Sequence, residues 1–228
     1  EVDVADIDED GYTDIIAAGS MTDNIKWYRS LPLSVFPDRW SENRNLVVVE
    51  KGLHQVGFYG PDGEHIKSIP VGKHPHEIVL SADGKTAFVT DNGTMRYATP
   101  AEGGHTISII DLTKMEKKGT FLTDPFRRPH GITIDPETGL LAVGTENPDR
   151  LLLMDAETGE IKGDWDAGGK TPHMNNISEG GEWVYAINVA SGNIAAIEVK
   201  TGNTTVIDVG AGPQGSAISK DGSQLFVS

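Results

Sequence analysis

Seven histidines and 34 acidic side chains, with no cysteine, bound the chemistry that this 228-residue chain can offer. Disulfides, cysteine–zinc sites and thiol catalysis are excluded. Three of the histidines directly follow a proline: His76, His130 and His173. Imidazoles brought together from three places in a chain can hold a transition metal, as three-His zinc sites do. A residue that recurs at one position of a repeat is first a packing residue, however, and Gln214 replaces His in a fourth copy. The leading expectation is therefore structural, with each ring nitrogen bonded to its own or a neighbouring repeat. An unpaired buried imidazole would cost about 1–3 kcal/mol. A transition metal at this ring is the second expectation.

A second constellation lies near the N-terminus, where Asp6-Ile7-Asp8-Glu9-Asp10-Gly11-Tyr12-Thr13-Asp14 reads D-x-D-x-D-G-x-x-D. Alternate carboxylates in a tight turn converge on one point, and Gly11 permits the bend. Such an arrangement suits calcium, a hard cation that takes six to eight oxygens. The expected ligands are the side chains of Asp6, Asp8, Asp10 and Asp14 and the carbonyl of Tyr12. Carboxylates this close repel one another unless a cation neutralises them. The loop lacks a Glu at position 12 and sits between strand-like Val2–Ala5 and Ile15–Ala18, so it is not an EF-hand.

A third candidate set, Glu50, Asp91, Glu146 and Asn188, recurs at strand ends and offers oxygen ligands on successive repeats. Arg96, Arg127 and Arg128 could meet an anion. No Gly-x-Ser-x-Gly elbow, P-loop or dinucleotide fingerprint occurs, which removes the commonest hydrolase, kinase and dehydrogenase chemistries. A net charge of −15 repels polyphosphate, so nucleic acid is not an expected partner. No apolar run approaches the roughly 18 residues of a membrane helix.

The elements that must position these residues follow from an internal repeat of about 42 residues. Pro75, Pro129, Pro172 and Pro213 open one recurring cluster, at intervals of 54, 43 and 41. The strand ends at 50, 91, 146 and 188 form a second series, spaced 41, 55 and 42. Both series place one insertion of about 13 residues at Asn92–Gly104. Within a period the pattern is strand, turn, strand, loop, strand, turn, strand. In one copy the predicted strands are His130–Asp135, Leu140–Thr145, Leu151–Asp155 and Ile161–Asp166. Pairs such as Asp83-Gly84, Asp62-Gly63, Thr201-Gly202 and Asp221-Gly222 supply the positive φ that hairpins need. Four short strands per period is the arithmetic of a β-propeller blade. The fold class is all-β, with four-stranded antiparallel blades and almost no helix.

From Asn45 to Ser228 the chain resembles the YVTN-repeat family of seven-bladed β-propellers. The likeness rests on Phe88-Val89-Thr90-Asp91, on the degraded Tyr185-Ala186-Ile187-Asn188, and on the Pro-His-Gly opening of the inner strand. Seven blades would need roughly 290 residues. The present chain supplies about four and is expected to be part of a larger propeller. Residues 1–30, with the aspartate loop and Asp23-Asn24-Ile25-Lys26-Trp27-Tyr28, resemble an FG-GAP/VCBS repeat; residues 31–44 read as a connector. The two resemblances imply an exported, extracellular or periplasmic binding or scaffold propeller with a structural calcium ion, its protein or small-molecule ligand unspecified. The alternative is a metal-dependent hydrolase or lyase at the channel mouth. The strand-end ring resembles, in geometry only, the oxygen cage of lactonase-type propellers.

Overall fold

The computed structural model describes residues 2–5, 14–18, 25–28, 46–60, 63–96, 102–219 and 222–228. It divides into two compact units, Glu1–Arg44 and Asn45–Ser228. In the first, β1 (Val2–Ala5), β2 (Asp14–Ala18) and β3 (Ile25–Tyr28) form an antiparallel meander, with Ala5 opposite Asp14 and Ala18 opposite Ile25. The expected calcium ligands Asp6, Asp8, Asp10 and Tyr12 lie outside the described residues, as do the side chain of Asp14 and the connector 31–44.

The second unit is a series of antiparallel sheets. A three-stranded sheet, β4 (Leu46–Glu50), β5 (Gln55–Tyr59) and β6 (His65–Pro70), comes first. Three four-stranded sheets follow: β7 (Pro75–Leu80), β8 (Thr86–Asp91), β9 (Thr106–Asp111) and β10 (Glu116–Leu122); β11 (Arg127–Asp135), β12 (Leu140–Asn147), β13 (Asp149–Asp155) and β14 (Ile161–Asp166); β15 (Pro172–Ile177), β16 (Trp183–Asn188), β17 (Asn193–Glu198) and β18 (Thr204–Asp208). A pair, β19 (Ser216–Ile218) and β20 (Leu225–Val227), completes the series. Among the described residues the helical content is two single 3-10 turns, Lys51–Leu53 and Glu179–Gly181. These are the blades of part of a β-propeller.

Sequence pattern explains the layering. The second and third strands of each blade are nearly continuous apolar runs because both faces are covered. Leu141, Leu151, Leu152 and Met154 are fully buried. Outer strands alternate or lie open, as β14 does with half-buried and exposed residues in turn. The core is accordingly split into three layers between successive blades. One joins Val56 and Phe58 to Val89 and Ile110, the next joins Phe88 and Ile107 to Leu141 and Leu152, and the third joins Ala142 and Leu153 to Val184 and Ile197. A buried Leu contributes roughly 1.5–3 kcal/mol, so each blade depends on its neighbours for its apolar faces. Gly84 and Gly139 take φ of 65° and 68° in the hairpins that join first and second strands. The inner strand of the third blade starts at Arg127, ahead of the His130 at which the pattern placed it, because a bulge precedes the regular ladder.

Candidate functional site

The first strand of each blade opens on one local device. The residue before each repeat proline adopts left-handed backbone: His74 at φ 47°, Arg128 at 59°, Thr171 at 58° and Gly212 at 71°. Proline disfavours the right-handed helical region for its predecessor. The ladder to the second strand then shifts register, between Pro75 and Ile78, Pro129 and Ile132, and Pro172 and Met174. A bulge aims a side chain out of the regular pleat. Here the side chain is the histidine that follows the proline. Left-handed backbone costs a non-glycine residue about 1–2 kcal/mol, and three blades carry it at the same place.

Neighbouring inner strands are fixed to each other by side chains. Thr90 Oγ1 accepts from the Glu77 amide at 3.0 Å and donates to the His130 carbonyl at 2.7 Å, setting β7 against β11. Asn175 Nδ2 donates to the Gly131 carbonyl at 2.7 Å, and Thr133 Oγ1 donates to Asn175 Oδ1 at 2.8 Å, setting β11 against β15.

These contacts bring the three imidazoles into one cluster. Ring centroids are 3.7 Å apart for His76 and His130, 4.2 Å for His130 and His173, and 6.0 Å for His76 and His173. His130 turns its Nε2 edge onto His76, 2.8 Å from Nε2 and 3.0 Å from Nδ1 of that ring. Each ring also meets an oxygen. His130 Nδ1 lies 2.7 Å from Glu146 Oε1, His76 Nδ1 lies 2.9 Å from Glu77 Oε1, and His173 Nδ1 lies 3.3 Å from the Gln214 carbonyl. Carboxylates and carbonyls accept hydrogen bonds and do not donate them. A neutral His130 therefore carries its proton on Nδ1, toward Glu146, and its lone pair on Nε2, the arrangement of a metal-ligating histidine.

Burial keeps two of the three rings neutral. Burial pushes the His130 imidazole far below the ordinary histidine range, with help from His76 and against the hydrogen bond of Glu146. Burial also depresses His76, followed by the charge of Lys51 and by His173. Neutral imidazoles need not lose a proton to take a metal. Among the described residues, one group of three or more metal-competent side chains has its ligand atoms within 4.8 Å of one another: His76, Glu77 and His130.

The strand-end ring is not assembled. Glu50 is taken up by Gln55, Tyr59 and Ser68, and Asp91 by the Gly72 amide, Thr106 and Ser108. Burial raises the Asp91 carboxyl while those donors hold it down. Asn188 donates to the Ala167 carbonyl and to Asn193. Only Glu146 turns to the histidines. It also borders an open cleft of about 510 Å³ lined by Phe126, Asp149, Arg150, Asp164 and Lys170 among others. Two of the three arginines are paired with carboxylates. Arg127 pairs with Glu102 and Asp124, and Arg128 Nη2 lies 2.8 Å from Glu146 Oε2. Sequence reading did not assign Glu77 or Arg128 to the histidine cluster. It also passed over His54 and His74, whose rings meet edge-on at 4.4 Å beside it. The run His74-Pro75-His76 was the available signal.

No protein-family profile matches the chain, and no curated protein does. Among solved structures it is similar to hydrazine synthase of Kuenenia stuttgartiensis, with 21% identity and a TM-score of 0.68 over 80% of this chain. The chain spans 58% of the length of that one. At this identity the likeness concerns the propeller-type fold, and a fold does not carry a function.

Proposed function

We propose that this partial propeller binds a divalent first-row transition ion through Nε2 of His76, His130 and His173. In this reading it acts as a metal-dependent hydrolase or lyase at the mouth of the channel. What supports the reading is one observation: three imidazoles from three successive blades meet, and each has its Nδ1 turned to an oxygen acceptor. Two of the rings, His76 and His130, also bring nitrogens within 3.0 Å of each other. Three protein ligands, with a non-ligating Gln214 in the fourth copy, also match catalytic rather than structural sites, which close with four. An ion so held would supply a Lewis acid with a position left for a substrate oxygen.

A second reading keeps the chain as an exported binding or scaffold propeller of YVTN type, preceded by an FG-GAP/VCBS-like repeat stiffened by calcium. The pairing of Ala5 with Asp14 favours it, since it makes the aspartate loop the connection of a β-hairpin. Metal analysis of the full chain, followed by thermal melts with added ions, separates the two. The first reading expects one equivalent of cobalt or zinc, abolished by His130→Ala and unaffected by Asp8→Asn. Calcium stabilisation abolished by Asp8→Asn, with no transition-metal binding, would overturn it in favour of the second.

A further inference from the structure

We infer that Glu146, held by Arg128, is a positioning residue that fixes His130 as the anchoring ligand of the cluster; the inference rests on the transition-metal reading above. The three histidines are not held alike. His173 Nδ1 lies 3.3 Å from a backbone carbonyl, and the side chains of His76 and Glu77 are each 16% exposed. His130 and Glu146 are each 3% exposed and meet at 2.7 Å. The other oxygen of Glu146 forms an ion pair with Arg128 Nη2 at 2.8 Å. The same guanidinium nitrogen reaches Thr94 Oγ1 at 3.3 Å and the Arg96 carbonyl at 3.4 Å, in the segment inserted after β8.

The register explains why this carboxylate, alone among the strand-end residues, turns inward. Asp91 and Asn188 stand opposite Pro75 and Pro172, but Pro129 pairs with Thr145, so Glu146 lies one residue further along β12, opposite Arg128 and on the other face of the strand. The left-handed backbone of Arg128 at φ 59° brings its guanidinium to the carboxylate. Glu146 thus has one oxygen committed to Arg128 and one to His130. It sets the tautomer and the plane of the His130 ring from behind and does not itself face the metal. A carboxylate behind a ligating imidazole also raises the basicity of the other nitrogen, and removing such a partner costs 10–100-fold in metal affinity. His76, by contrast, presents its ring face to His130 and must turn about its Cβ–Cγ bond to offer Nε2. The cluster is built around one fixed ligand.

The test is a Co²⁺ titration of the full chain, read by the visible ligand-field absorption and by Zn²⁺ competition, on wild type, Glu146→Gln, Glu146→Leu and His173→Ala. Urea unfolding of each metal-free variant is measured alongside. The expected affinity order is wild type, then Glu146→Gln, then Glu146→Leu. The leucine variant should be 10–100-fold weaker than wild type with a changed absorption envelope. The glutamine variant keeps an oxygen for the Nδ1 proton and falls between them. If Glu146→Leu does not fold, the glutamine variant decides alone, through any loss beyond about threefold. Co²⁺ affinity of both Glu146 variants within threefold of wild type, with His173→Ala impaired, would overturn the positioning role while leaving the metal reading intact. A wild type that gives no ligand-field absorption would overturn both.

Discussion

Replacing Gly131 with alanine tests whether close approach of the inner strands creates the histidine cluster. Gly131 follows His130 on β11 and faces β15. A Cβ built there would lie 2.7 Å from the His173 carbonyl oxygen, 2.8 Å from Met174 Cα and 3.1 Å from the Asn175 nitrogen. All three are backbone atoms, so no rotamer change relieves the overlap. Restoring ordinary contact requires β15 to retreat by about 0.7 Å, against its own blade and the Asn175–Gly131 hydrogen bond. Overpacking of this kind costs about 1–3 kcal/mol. Gly131 does not take positive φ, so alanine also recovers about 0.4–1 kcal/mol by restricting the unfolded chain. The net expectation is a loss of roughly 1–2 kcal/mol, or about 2–8 °C in melting temperature for a domain of this size. Gly144→Ala is the control. Its added Cβ meets the Pro172 carbonyl at 3.1 Å and only side-chain atoms beyond 3.5 Å, so its loss should be smaller. The assay is thermal and urea unfolding of the full chain with metal removed by chelation. The reasoning fails if Gly131→Ala melts at or above wild type, or no lower than Gly144→Ala.

Two further outcomes are expected. Arg128→Met leaves the Glu146 carboxylate buried without its cation and should cost about 3–5 kcal/mol. In a double-mutant cycle with Glu146→Gln the coupling should exceed about 1 kcal/mol, and additive losses would show that the pair is not coupled. Stability in chelator should also fall on acidification. His76 and His130 are depressed below 6.5 in the folded protein, so below pH 6.5 the unfolded chain binds protons that the folded chain refuses. Stability attributable to them is present above that pH and is lost as pH falls, at up to about 1.4 kcal/mol per pH unit for each ring. Around them lie Glu77, Glu146, Arg128, Lys51 and His173, of which Glu146 opposes the trend at His130. Urea midpoints that are flat between pH 7.5 and 5.5, or unchanged in slope by His130→Asn, would contradict this.

Much of this protein is written locally. The period of about 42 residues, the insertion after Asp91 and the turn dipeptides all depend on the chain's own alternation of apolar runs and glycine. The strands found at Leu140–Asn147 and Ile161–Asp166 follow that pattern closely. The proline–histidine repeat was likewise visible. The sequence could place three histidines at equivalent positions but could not say how near they come. That distance depends on the radius at which the inner strands meet, and so on Gly131 having no side chain and on Thr90 and Asn175 bridging between blades. The strand-end residues show the same limit. Glu50, Asp91, Glu146 and Asn188 look equivalent in the sequence, yet Glu50 and Asp91 are held by donors of nearby segments, Asn188 donates to Ala167 and Asn193, and only Glu146 turns to a histidine. The difference is one residue of register: Pro129 pairs with Thr145 where Pro75 and Pro172 pair with Asp91 and Asn188, which sets Glu146 on the other face, opposite Arg128 and 2.8 Å from its guanidinium. Periodicity is a short-range property, and it fixes which residues correspond. Which of them touch is decided by the packing of one blade on the next, because a side chain's partner across that interface lies some 40 to 54 residues away.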